Sequence, residues 1–104
     1  MCSSDLHADL LAERAGQLGG VAEGTVQVVA KKSTLPPYPL NVSNGRDHVE
    51  ALSSALATFA KAVRAAIDQS DALGDKDTAD VFTEISRETD KNLWFVEAHL
   101  QAER

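Results

Sequence analysis

The sequence predicts an all-α protein built as a helical bundle. In its second half, apolar residues recur at intervals of three and four, the spacing of one face of an amphipathic helix. Glycine, asparagine and aspartate stand where such helices would begin or end, and a long connection bearing proline precedes these helices. With 104 residues, 43% of them hydrophobic and 25% charged, the chain builds at most one domain with a modest core.

The first predicted helix covers residues 6–18 and ends at Gly19-Gly20. Within the stretch DLLAERAGQLGG, Asp9 and Glu13 are four residues apart and therefore share a helix face. Two such carboxylates can bind a cation if another helix supplies further ligands. The alternative is a solvated acidic face, on which like-charge repulsion costs about 0.2–0.5 kcal/mol. Spacing alone favours the solvated face.

A connection over residues 24–45 follows and contains Pro36, Pro37 and Pro39. Connections of this length are unusual in compact domains, but they suit a crossover that joins two parallel helices of a bundle. The stretch TVQVVA within it is either a short strand or a short helix, and periodicity does not decide between them.

The sequence next predicts a long amphipathic helix over about residues 45–72. Ser43 or Asn44 is the candidate N-cap, Asp47 can reach back to it, and Gly74 lies just beyond the end. Its apolar stripe consists of Val49, Leu52, Leu56, Phe59, Val63 and Ala66.

A last helix is predicted to begin at Asp77, whose side chain can accept from the amide near Asp80. The connection to the preceding helix is short, so the two helices should be antiparallel neighbours. Its apolar stripe consists of Phe82, Ile85, Thr89, Leu93, Val96 and Leu100. The sequence therefore predicts three helices and a long crossover, one helix fewer than a four-helix bundle.

The net charge disfavours unaided nucleic-acid binding, and the cysteine content excludes two kinds of cysteine chemistry. A net charge of −6 repels phosphate, and the basic doublet Lys31-Lys32 is better explained as solvated loop charge than as a nucleic-acid patch. The single cysteine, Cys2, excludes an intrachain disulfide and CxxC zinc chemistry. No apolar run is long enough to span a membrane, so we expect a soluble cytoplasmic protein without a membrane partner.

The histidines and aromatic residues offer no complete catalytic site. The Glu-x-x-His motif of di-iron bundles is missing from the sequence, and His7 would point away from Asp9 on a helix. His48 and His99 are expected to be surface or interface residues. Trp94 and Phe95 form either a binding surface or, as we favour, core or interface filler.

Taken together, these motifs resemble the Dps family, the starvation-induced mini-ferritins. The resemblance covers nearly everything from His7 to Leu100, and its most specific segment is AER-x-x-x-LGG with an aspartate four residues before the glutamate. The other matching motifs are GT-x-QV at residues 24–28, YPL at 38–40, DH at 47–48, DTAD at 77–80 and SR-x-x-DK-x-LWF at 86–95.

The resemblance implies a ferritin-like four-helix bundle with a long crossover, and it implies that Asp9 and Glu13 are iron ligands and catalytic residues. In that family the di-iron site is shared across a two-fold interface, where the partner adds two histidines and a carboxylate in and around a His-Trp motif. This sequence contains no such motif. The implied activity is oxidation of Fe²⁺ by hydrogen peroxide, with storage of Fe³⁺ mineral inside a twelve-subunit shell that protects DNA during starvation.

The same resemblance implies a truncated bundle, with the first helix and the start of the second missing. Residues 1–6, MCSSDL, have no counterpart in the family pattern and can be encoded by the end of a common sequencing adapter. We therefore expect a non-native scar over residues 1–6, with no functional role for Cys2, and a partial ferritin-like domain over residues 7–104. Such a fragment is expected to be inactive alone.

Two other functions remain open at the level of sequence. One is a non-enzymatic helical interaction module in which Asp9 and Glu13 are ordinary surface charge. The other is a DNA-compacting shell protein with a degenerate metal site. In the family, direct DNA contact and nucleoid association are usually placed on a lysine-rich terminal tail, and the C-terminal LQAER is short and nearly balanced in charge.

Overall fold

The computed structural model describes residues 3–101, and over these residues it is all-α, without strands. The helices are α1 (Ser3–Gln17), α2 (Val26–Lys32), α3 (Gly45–Ala72) and α4 (Lys76–Gln101). The all-α prediction is confirmed, and the helix count over these residues exceeds the predicted three by α2. The chain divides into two compact units, one holding α1 and α2 and the other, from Leu35 onward, holding α3 and α4.

Helix α1 ends at the double glycine, as the sequence predicts. Gly19 has a φ of +86°, a conformation that costs a residue with a Cβ atom about 1–2 kcal/mol. The Gly19 amide donates to the Gly16 carbonyl at 3.0 Å, and the Gly20 amide donates to the Ala15 carbonyl at 2.8 Å. These two bonds form a Schellman motif, which satisfies the last carbonyls of the helix. At its other end α1 begins at Ser3, before the predicted start at residue 6.

The stretch TVQVVA, which periodicity allowed as either a strand or a helix, forms the N-cap and first part of helix α2. Thr25 is its N-cap, because the Thr25 hydroxyl accepts from the Val28 amide at 3.3 Å. At the other end, the Ser33 amide donates to the Val29 carbonyl at 2.9 Å. A helix satisfies its backbone groups internally, whereas a strand needs a partner strand, and residues 3–101 contain none.

Helix α3 has the predicted bounds, and of the two candidate caps, Ser43 and Asn44, the structure has Asn44. The Asn44 side chain accepts from the Asp47 amide at 2.9 Å and donates through Nδ2 to the Asp47 carboxylate, also at 2.9 Å. Gly74, with a φ of +80°, closes a second Schellman motif, in which the Gly74 amide bonds to Asp71 and the Asp75 amide bonds to Ser70. Local hydrogen bonds therefore account for both ends of α3, as the sequence pattern predicts.

The start of α4 differs from the prediction. The cap is Asp75, whose carboxylate accepts from the Thr78 amide at 3.1 Å and from the Thr78 hydroxyl at 2.6 Å. Asp77 already lies in the first turn of α4. The physical reason is that the Schellman motif at Gly74 redirects the chain at once, so the next residue is in position to begin a helix.

Helices α3 and α4 pack as an antiparallel hairpin, as predicted. The first turn of α3 and the last turn of α4 line one shared cavity, with Val49 on one side and His99 and Leu100 on the other. At the surface of the hairpin, Nη1 of Arg64 on α3 lies 3.2 Å from Oδ1 of Asp90 on α4. This exposed ion pair contributes at most about 1 kcal/mol.

The core of the hairpin consists of small side chains around one large one. Ile85 is fully buried, and the other buried residues are Ala60, Val63, Ser70, Ala79, Ser86 and Thr89. The predicted stripes contain Val63, Ile85 and Thr89, and they include Leu52, which is exposed. They miss the small buried residues Ala60, Ser70, Ala79 and Ser86. The buried face is centred on small residues because these allow two helices to approach closely. None of the helices in residues 3–101 combines the length and apolar composition that a membrane span requires.

Candidate metal centre

The two predicted ligands lie on α1 and are both exposed. Asp9 and Glu13 are separated by one helical turn, so their carboxylates project from the same face of Ser3–Gln17. Asp5 lies one turn before Asp9 in the same helix and is also exposed, and it was not among the predicted ligands. Because residues 1–6 were predicted to be a non-native segment, the four-residue spacing between Asp5 and Asp9 was not used. The face of α1 therefore carries three carboxylates in succession.

His7 is buried and does not belong to this acidic face. Its side chain is 8% exposed, whereas the neighbouring Asp9 is exposed. A two-residue offset turns a side chain to roughly the opposite side of a helix, as predicted. His7 is therefore directed away from the candidate ligands.

The described residues do not complete a metal site around the pair. Across residues 3–101, no group of three histidine, cysteine, aspartate or glutamate side chains is placed to hold a metal ion. Hard cations in proteins take several oxygen ligands, so Asp9 and Glu13 alone would supply only part of a coordination sphere. The nearby Arg14 guanidinium donates to the Gln17 side chain at 2.9 Å, within the same helix.

The two remaining histidines are exposed, in agreement with the prediction of surface or interface positions. The His99 Nδ1–H donates to the Phe95 carbonyl at 2.9 Å, one turn earlier in α4. His48 Nδ1 lies 2.6 Å from the Tyr38 hydroxyl. Each imidazole is thus engaged within its own unit through Nδ1.

Trp94 and Phe95 lie near the end of α4 and remain 63% and 47% exposed. Their ring centroids are 4.9 Å apart, and the Lys91 ammonium lies 5.8 Å from the Phe95 centroid, within cation–π range. Of the two expected roles, core or interface filler, the core role is wrong for these rings because both are exposed, and the interface role remains a prediction. The aromatic pair instead forms a surface patch.

Comparison with known proteins relates the chain to one family. The family model for the ferritin-like domain matches residues 4–104. The chain belongs to the ferritin-like family. This establishes the fold that the sequence motifs implied.

Among curated proteins, this ferritin-like chain is 47% identical over 97 residues to the DNA protection during starvation protein of Agrobacterium fabrum. That match covers 93% of the chain and 60% of the relative. Among solved structures, it is similar to Dps from Staphylococcus aureus, with a TM-score of 0.81 and 27% identity. This second match covers 88% of the chain and 61% of the structure. The chain thus spans about three fifths of the length of both relatives.

The predicted division of the ferritin-like chain at residue 6 remains a prediction. The family match begins at residue 4 and α1 begins at Ser3. Cys2, which was expected to have no functional role, lies outside the described residues.

Proposed function

We propose that this chain is part of a Dps-type mini-ferritin subunit that oxidises Fe²⁺, stores iron as Fe³⁺ mineral and protects DNA during starvation. The family membership supports the iron chemistry, and the likeness to a DNA protection during starvation protein supports the protective role. The observation that carries the proposal is the exposed pair Asp9 and Glu13 on one face of α1.

Carboxylate side chains on bundle helices are among the ligands of iron in di-iron proteins. Asp9 and Glu13 both offer carboxylate oxygens, and both are accessible to an incoming ion. Residues 3–101 contain no group of three ligating side chains, so the proposal requires ligands from outside these residues. In our proposal, a partner subunit supplies histidine and carboxylate ligands across a two-fold interface, so that Asp9 and Glu13 form half of a shared di-iron site.

The chemistry proposed for this site is the two-electron reduction of hydrogen peroxide. Asp9 and Glu13 neutralise and position Fe²⁺ substrate ions, and two ions held close together lose one electron each. The peroxide then accepts both electrons and forms two hydroxide ions, which avoids release of hydroxyl radical. The net charge of −6 would also attract further cations toward the protein.

We place the assembled protein in the cytoplasm as a homo-oligomeric shell of about twelve subunits, the size that the family resemblance implies. A negatively charged surface disfavours direct contact with DNA. The protection of DNA is therefore proposed to be chemical, through removal of Fe²⁺ and peroxide. Direct DNA binding would require a basic tail, and the described residues do not contain one.

A chimera tests the role of the acidic pair. Residues 4–104 are joined to the part of the Agrobacterium fabrum relative that the match leaves uncovered. We expect this chimera to oxidise Fe²⁺ with peroxide, and we expect Asp9→Asn and Glu13→Gln each to reduce the rate at least about tenfold. Loss of a ligand of this kind weakens metal affinity or activity strongly, by analogy with the about 10- to 100-fold effects of supporting residues.

The matched control is Glu23→Gln, which removes an exposed carboxylate from the same unit outside α1. This variant should oxidise iron at the rate of the unmodified chimera. Equal rates for Asp9→Asn, Glu13→Gln and the control would refute the assignment of the ligands. Iron oxidation by the 104-residue chain alone at the rate of the chimera would refute the proposal that further ligands are needed.

The exposed aromatic patch favours a second candidate function, a non-enzymatic interaction module. Trp94 and Phe95 present a large apolar area next to Lys91, and aromatic residues are enriched at protein interfaces. Under this alternative, Trp94→Ala would abolish association between subunits while Asp9→Asn has no effect on any activity. The chimera experiment therefore separates the two functions.

A further inference from the structure

Tyr38 and His48 form a hydrogen-bonded pair that the proposed iron chemistry does not use. The Tyr38 hydroxyl lies 2.6 Å from His48 Nδ1, at the short end of the range for such bonds. The two rings are inclined by only 19°, with their centroids 5.8 Å apart. With the His48 proton on Nε2, the Tyr38 O–H donates directly to the imidazole lone pair.

Both partners are held by local structure. Tyr38 lies between Pro37 and Pro39 in the segment that precedes α3, and proline restricts both its own backbone and that of the residue before it. His48 is in the first turns of α3, next to Asp47, whose amide and carboxylate both bond to the Asn44 cap. The phenol and the imidazole therefore meet with little remaining backbone freedom on either side.

We propose that this pair is a one-electron donor site at the protein surface, in which His48 accepts the phenolic proton as Tyr38 is oxidised. A phenol loses an electron with difficulty while it keeps its proton, because the product would be a strongly acidic radical cation. A base already bonded to the hydroxyl removes this barrier, since the proton moves by a fraction of an ångström along the existing bond. Imidazole is the side chain best suited to this exchange near neutral pH.

The reaction balances with a strong one-electron oxidant such as hydroxyl radical. The oxidant takes one electron from Tyr38 and becomes hydroxide, and the O–H bond of Tyr38 breaks. The proton forms a new N–H bond at His48 Nδ1. The products are a neutral tyrosyl radical and an imidazolium that remain hydrogen-bonded to each other.

The position of the pair fits this role. Tyr38 is 44% exposed, so a diffusing oxidant can reach its ring. It is also the only tyrosine in the sequence, and Trp94 is the only tryptophan. A tyrosyl radical can therefore be assigned to one residue without ambiguity.

The test uses the full 104-residue chain in a Trp94→Phe background, with photogenerated tris-bipyridine ruthenium(III) as the oxidant. The rate of tyrosyl radical formation is followed by transient absorption, and the radical is identified by electron paramagnetic resonance. We expect His48→Gln and His48→Phe each to slow radical formation at least about tenfold, since a positioned base typically contributes about a hundredfold or more. Tyr38→Phe should abolish the signal.

The choice of variants separates proton acceptance from hydrogen bonding. Glutamine can accept a hydrogen bond through its amide oxygen but cannot take the proton, so a wild-type rate in His48→Gln would overturn the proposal. His99→Gln is the control, because His99 is exposed and bonds through Nδ1 to the Phe95 carbonyl instead. This control should keep the rate of the background chain.

Two other results would also overturn the proposal. One is an unchanged rate in His48→Phe. The other is the lack of a nuclear Overhauser effect between the Tyr38 and His48 ring protons, which would mean that the pair does not form in solution. The experiment involves no iron, so its outcome is independent of the proposed iron oxidation.

Discussion

The acidic helix α1 and the α3–α4 hairpin end in the same local way but differ in burial. Gly19 and Gly74 both adopt positive φ and both close a Schellman motif. Yet α1 buries only His7 and α2 buries no residue, whereas the hairpin buries a set of residues centred on Ile85. The local signals that end a helix therefore do not indicate whether that helix packs into a core.

The difference in burial follows from what each helix presents. The face of α1 that carries Asp9 and Glu13 is exposed, as a surface that binds ions from solution must be. Helix α4 instead places Ile85, Ser86 and Thr89 against α3. Isolated helices as short as α1 are marginal in water, since most helical stability in proteins comes from tertiary packing. The hairpin carries its own core, and the candidate ligands lie on a helix that contributes little burial.

The largest expected effect is on the core of the hairpin. Ile85→Ala should lower the free energy of unfolding by about 2–5 kcal/mol, because it removes a fully buried side chain and leaves a cavity. Urea denaturation followed by circular dichroism measures this change. Leu73→Ala is the control, since Leu73 is 85% exposed and its truncation should change stability by less than about 0.5 kcal/mol. Equal effects of the two substitutions would show that Ile85 is not the centre of a core.

A smaller effect is expected at the start of α4. Asp75→Ala should cost about 1 kcal/mol, because the cap loses its bonds from the Thr78 amide and hydroxyl. Asp77→Ala should cost less, since Asp77 contributes only a favourable interaction with the helix dipole. Thermal and urea unfolding of the two variants provides the comparison. A larger loss for Asp77→Ala would restore the assignment made from the sequence.

The smallest effect has the opposite sign and concerns α1. Neutralising one member of the acidic pair by Asp9→Asn relieves like-charge repulsion and should stabilise the helix by about 0.2–0.5 kcal/mol. Amide hydrogen exchange across Ser3–Gln17 at low ionic strength measures it. The same substitution is expected to impair iron oxidation in the chimera, so a gain in stability would accompany a loss of function. Reduced protection of these amides in Asp9→Asn would argue that Asp9 has a structural role.

Much of the fold was accessible from the sequence because its causes are local. The bounds of α3, the Asn44 cap and the glycine stops depend on residues within one helical turn of each other. The exposed positions of Asp9 and Glu13 followed from the periodicity of one helix. The cap at Asp75 was missed because two aspartates in succession offer the same local signal, and only the path of the chain through Gly74 selects between them.

The sequence by itself determined the helical class, the ends of the long helices and the acidic pair, since these depend on short-range hydrogen bonds and periodicity. Tertiary structure alone decided that Ala60 and Ser70 lie in the core while Leu52 does not, and that Trp94 and Phe95 remain exposed. It also brought the Tyr38 hydroxyl to His48. The physical reason is that burial depends on how closely two helices approach and which side is covered, and residues distant in sequence determine both.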